Sequence, residues 1–281
     1  MLSTRIFMKL SLRQRTFLSI VLSLIILLGM IFSGLWLGDE RLGINPEAIN
    51  EAPSVRHIFG TDWLGRDMLA RTLKGLTLSF SVGLLAAMVS AMIALVLSLL
   101  ASMNKIIDQI VTWLIDLFLS VPHLILLLLI SFAMGGGFSG VVVGLALTHW
   151  PSLTRVLRGE MLQVKTAQYV KISQQLGKSH VWIARKHILP HLLPQLFIGL
   201  ILLFPHCILH EAAITFLGFG LPAEQPAIGI ILSESMRYLS TGKWWLAVFP
   251  GMSLLMMVFL FDVVGQSMRK WIDPFHGQKG A

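Results

Sequence analysis

Within one stretch of six residues, HCILHE, the chain places His206, His210 and Glu211, side chains that bind metals or carry protons. Histidines four apart project from the same face of a helix, with Glu211 about 100 degrees round from His210. A zinc hydrolase of the HExxH kind needs a glutamate directly after the first histidine. Cys207 stands there, so the motif is broken and no catalytic residue is assigned. Two readings remain: hydrogen bonding inside the protein, or weak and transient contact with a metal ion or chelate. A second lure is LGKS at 176–179, which resembles the end of a phosphate-binding loop. That loop requires a glycine five residues before its last one, and Ile172 occupies the position. The chain is therefore read as having no nucleotide site and no cofactor of its own.

The elements that must carry these residues are set by composition. Of 281 residues 55% are hydrophobic and 13% charged, and mean hydropathy is +0.78; a soluble domain carries charge at about 25% of positions. Runs long enough to cross a bilayer as helices, roughly 20 residues each, lie near 17–37, 76–103, 110–134, 138–153, 192–217 and 244–264. The fold class read from this is an all-α membrane protein with six transmembrane helices. The first run is too long for a signal-peptide core and has no small-residue cleavage site after it, so it is read as a retained span. The lone cysteine, Cys207, lies in an apolar run and excludes a disulfide framework.

The formal charge of +8 is spread by loop instead of gathered on one face, which points to membrane orientation and lipid headgroups and away from nucleic acid. With the N-terminus inside, about 15 Lys or Arg fall on the cytoplasmic side, from Arg5 and Lys9 to Lys279, against about 7 outside. Both termini are thus expected in the cytoplasm. The organisation that follows is a cytoplasmic N-terminus at 1–16, a first span at 17–37, an external segment at 38–75, a five-helix core at 76–266 and a cytoplasmic C-terminus at 267–281. The external segment is too short to fold alone and should pack on the outer mouth of the bundle. The outer connection 218–243 is read as a re-entrant or gate-lining element.

Inside the core a basic amphipathic stretch interrupts the apolar pattern at 155–191. Residues 165–176 read as a short helix, Gly177 as its C-terminal turn, and SHVWIARKHI as a second helix with Val181, Ile183, Ala184 and Ile188 apolar against Arg185 and Lys186.

Several separated strings, FGTDWLGRDMLAR, DQIVTWLIDLFLSVP, TFLGFGLP and FPGMSLLMMVFLFDVVGQSMRKWIDP, together with YVKISQQLGKSHVWIARKHILP, resemble the permease subunits of ATP-binding-cassette importers, in the branch that handles dipeptides, oligopeptides and nickel. The resemblance runs from about 57 to 274. It implies the type I importer permease architecture, a bacterial inner-membrane location, and work beside a homologous sister permease, two cytoplasmic ATPases that bind the ATP and Mg, and an external substrate-binding protein. It also implies that the 155–191 segment is the ATPase-coupling loop, with Gly177, Leu189 and Pro190 at the family's places. Lys171, Ile172 and Ser173 stand where relatives carry Glu-Ala-Ala. Trp113 replaces a usual arginine, and PAIG at 226–229 a Trp-Gly pair. Val181 and Ile183 are expected to fill a groove on the ATPase. The translocation path is expected at His206, His210 and Glu211. Because nickel-type relatives carry the two histidines, nickel or a metal chelate is the expected cargo, with short peptides as the alternative.

Overall fold

A computed structural model describes residues 12–38 and 42–272; the charges at Arg5, Lys9 and Lys279 used above lie outside the described residues. Within them the chain is helical, and its one β-like feature is an isolated bridge between Thr61 and Asp67. The helices in chain order are α1 (Leu12–Trp36), α2 (Met68–Ala101), α3 (Lys105–Ser120), α4 (His123–Ala133), α5 (Gly137–Thr166), α6 (Gln168–Gln175), α7 (His180–Ile183), α8 (Leu189–Phe216), α9 (Ile228–Leu239) and α10 (Trp245–Ile272). A π-helical turn at Ala184–Ile188 joins α7 to α8.

Four of these segments are long and apolar enough to cross a membrane, and the bent pair α3–α4 raises the number to five. Two of the six expected spans therefore differ from the sequence reading. The run 110–134 is not one helix: α3 and α4 meet at 96°. The reason is Pro122, which has no N–H to donate and forces its predecessor out of the helical region; Val121 is extended at φ −91°, ψ 137°. The run 138–153 does not stop at its proline either. Pro151 is absorbed inside α5, which continues to Thr166, and α5, whose first half mixes Gly, Ser, Thr and His149 with its apolar residues, is not among the helices apolar enough to cross a membrane by composition.

The core is organised around α2. Its buried face reads Gly75, Ser79, Gly83, Ala86, Ala87, Ser90, Ala91, Ala94 and Ser98, small residues at helical spacing that let neighbouring backbones come close. The approach is tight: a Cβ on Gly83 would stand 2.7 Å from Ile208 of α8, and Ser90 donates to the Ala146 carbonyl of α5 at 2.8 Å. Asp67 caps α2 by accepting from the Ala70 amide at 3.0 Å, and Asn104 caps α3 by accepting from Ile107 at 2.8 Å.

The segment before α2, expected to be external, packs on the bundle, and Asp62 is its hub. This carboxylate is fully buried. It accepts from the amides of Leu64 and Arg66, each at 2.9 Å, from Arg66 Nε at 2.7 Å and from Arg71 Nη1 at 2.8 Å. Trp63 stacks on Tyr238 of α9 at 4.8 Å between centroids, with both arginines within 5.5 Å of the Trp63 ring. Residues 218–243, expected as a re-entrant or gate element, place α9 against α2, α8 and α10. Its face of Ile228, Gly229, Ile230, Ile231 and Ser235 is buried. Gly229 is why this works, since a Cβ there would meet the Ala212 carbonyl at 2.5 Å.

Candidate functional site

Two regions carry the residues singled out by the sequence. The first is a set of imidazoles where α4, α5 and α8 meet. His149 is buried, and its Nδ1 donates to the Leu145 carbonyl one turn back at 2.9 Å. His210 does the same with the His206 carbonyl at 2.8 Å. Both bonds fix a tautomer, because a carbonyl only accepts: Nδ1 carries the proton and Nε2 keeps its lone pair. His149 Nε2 lies 3.3 Å from His210 Nδ1. His123, which opens α4 directly after the break, packs on both partners with ring centroids 4.5 Å away in each case, and its buried Nε2 has no hydrogen-bond partner. One ring nitrogen from each of the three lies within 4.8 Å of the others.

The cluster differs from the expected one in two members. His206 contributes its carbonyl, not its imidazole; its side chain is exposed in a cleft with Ser152, Gln195 and Arg269. Glu211 also stands apart from the imidazole set. It is fully buried and accepts from Thr215 Oγ1 at 2.9 Å. That hydroxyl in turn accepts from the Leu221 amide at 3.2 Å, so Glu211 braces the turn that ends α8. The other two partners, His123 and His149, come from 87 and 61 positions before His210. No local spacing could have joined them.

The second region is the loop between α5 and α8. As expected, two short helices turn at Gly177, whose φ is +72°, a conformation open to glycine at little cost. Ser179 caps α7 by accepting from the Trp182 amide at 3.2 Å. The face expected to meet a partner is only partly available. Ile183 and Ile188 are buried inside the chain, and Ser173 faces inward to His187 Nε2 at 2.9 Å, which itself sits between the rings of Tyr169 and Trp182. What the loop presents is Ile172 at 54% exposure, Leu176 at 72% and Val181 at 59%, with Lys171, Gly177, Lys178 and Pro190 also exposed and Leu189 half-buried. The apolar surface is thus carried by Ile172 of α6, Leu176 at the turn and Val181 of α7, while α7 is pinned inward at Ile183. Behind the loop, Arg158 of α5 grips Asp108 of α3 in a bidentate pair, Nε at 2.5 Å and Nη2 at 2.7 Å, and so ties the loop-bearing helix to the broken span.

Comparison with known proteins places this architecture. Residues 83–275 match the model of the family described as binding-protein-dependent transport system inner membrane component. The chain is similar to the dipeptide transport system permease protein DppC of Bacillus subtilis, 31% identical over 80% of this chain and 71% of that one. It is also similar to the oligopeptide transport system permease protein OppC of the same organism, 29% identical over 91% and 84% of the two chains. A putative peptide transport system permease of Brucella suis is 29% identical over 93% and 88%. Among solved structures, the inward-facing MetNI methionine ABC transporter shares the fold, with a TM-score of 0.60 at 20% identity over 73% of this chain and 98% of that one.

Proposed function

The chain belongs to the family of binding-protein-dependent transport system inner membrane components, and from that premise we propose that it is the permease through which an importer carries short peptides. The permease role itself follows from the family: this is a non-catalytic, multi-pass subunit of a bacterial inner-membrane ABC importer. The cargo class rests on relatives named for dipeptides and oligopeptides. Nickel, the first expectation, finds no support among them. Its motivating pair, His206 and His210, also does not converge as imidazoles, because His206 bonds through its backbone.

In this reading the chain has six membrane crossings, counting α5 and the bent α3–α4 pair, with both termini in the cytoplasm. It forms half of the pathway with a sister permease, receives peptide from an external binding protein, and rests on cytoplasmic ATPases that hold ATP and Mg. The observation that carries the coupling role is the exposed apolar tip Ile172, Leu176 and Val181, ringed by Lys171 and Lys178, on a loop whose inner residues are fixed. Apolar anchors with a basic rim suit a groove on an ATPase. Leu176→Asp should abolish co-purification of the ATPases without loss of the membrane protein. Retained assembly and full uptake by that variant would remove the role from the loop.

A further inference from the structure

We infer that His123, His149 and His210 form a binding site for one first-row divalent transition-metal ion, a role separate from any cargo. Three features on α4, α5 and α8 converge on it. First, one nitrogen of each ring lies within 4.8 Å of the other two. Three nitrogens holding one ion at about 2.1 Å stand roughly 3.4 Å apart in a tetrahedral site, so the nitrogens need to close by at most about 1.4 Å, within reach of side-chain rotation. Second, His149 and His210 each donate Nδ1–H to a backbone carbonyl, Leu145 at 2.9 Å and His206 at 2.8 Å. A metal-binding histidine is held in the same way, its second nitrogen anchored so that the ring is aimed; the contact of His149 Nε2 with His210 Nδ1 at 3.3 Å would open as the rings turn toward the ion. Third, His123 Nε2 is buried with no hydrogen-bond partner, an unmet polar atom that a buried site ordinarily does not leave.

The donor set defines the ion. Three neutral imidazoles with no carboxylate suit Zn²⁺, Co²⁺, Ni²⁺ or Cu²⁺ and not Mg²⁺ or Ca²⁺, which take oxygen ligands. Three protein ligands leave one position for water or an anion, and that anion would offset the ion's charge. His123 and His210 are only half-buried, which gives the ion access. Bound there, it would tie the start of α4, just past the 96° bend, to α5 and α8.

The test uses the full-length chain, purified without a histidine tag and stripped with a chelator. Titration with Co²⁺ should give the visible absorption of a nitrogen-ligated, low-coordinate ion at one equivalent per chain, and Zn²⁺ should displace it while Mg²⁺ does not. His149→Gln should weaken Co²⁺ binding at least tenfold, with the same loss for His123→Gln and His210→Gln. His206→Gln, which keeps the backbone carbonyl, should bind as the wild type. Absence of the absorption band, or a band unchanged in the His149→Gln variant, overturns the site. Because ion binding is read directly, a failure of the peptide reading would leave this result intact.

Discussion

Arg71 of α2 and Glu234 of α9 stand 163 positions apart and meet at 2.8 Å, while the other arm of the same guanidinium holds the buried carboxylate of Asp62. The loop before α2, the long core helix α2 and α9 are thereby joined through one side chain that is itself buried. Arg71→Met leaves Asp62 in the interior with half its charge partners, and removing one member of a buried ionic set costs about 3 kcal/mol or more. Glu234→Gln, at the wetter end of the network, should cost under about 1 kcal/mol. Thermal melting of the purified chain should show a clear drop for the first variant and little for the second; equal melting temperatures would mean that the network does not hold the outer mouth together.

Two glycines with nearly the same backbone should respond in opposite ways. Gly65 has φ +73°, and a Cβ there would overlap the Asn45 carbonyl at 1.8 Å, whereas Gly177 at φ +72° has nothing within 4 Å. Gly65→Ala is expected to leave little folded protein in the membrane. Gly177→Val pays only the strain of the left-handed turn, roughly 1 to 2 kcal/mol, and should insert and assemble normally while substrate-stimulated ATP hydrolysis falls. Normal coupling by Gly177→Val would separate that turn from the coupling role.

Apolar residues of the loop divide by burial, and charge should reveal the division. Ile183 is 3% exposed and Ile172 54%. Ile183→Asp should lower the amount of intact chain, since a buried charge without a partner is strongly unfavourable. Ile172→Asp should leave that amount unchanged and weaken only ATPase attachment. Immunoblots of membranes against pulled-down ATPase distinguish the two, and equal loss of chain in both would deny that Ile172 faces outward.

Orientation is testable with single cysteines once Cys207, which is buried, has been replaced by alanine. Asp62 is a poor probe because it is fully buried, but Val55 in the same segment is fully exposed, and Lys178 in the loop is exposed. A membrane-impermeant thiol reagent on intact cells should label Val55→Cys and spare Lys178→Cys. The reverse pattern would invert the topology.

Much of this architecture was legible in the sequence because it depends on local rules. Apolar runs placed the helices, and Gly177 marked a left-handed turn that the chain adopts. The proline at 122 and the one at 151 show the boundary of such rules: Pro122 breaks a span by 96°, while Pro151 is carried within a helix, and only tertiary packing separates the two cases. The site was legible by half. His210 was found by its spacing from His206, yet helical periodicity predicts a shared face and not whether an imidazole or a carbonyl is used. His123 and His149 join it through long-range packing, and Glu211, one residue on, turns to a different neighbour. For the loop, amphipathicity identified two helices but could not say which apolar residues, Ile183 or Leu176, the chain keeps for itself.

Uptake in cells tests most directly whether this permease carries short peptides. A strain lacking this chain, and auxotrophic for one amino acid, should fail to grow when that amino acid is supplied only as a di- or oligopeptide; the wild-type chain should restore growth and radiolabelled peptide uptake, and Leu176→Asp should not. Undiminished peptide uptake in the deleted strain, with other peptide importers removed, would contradict the account.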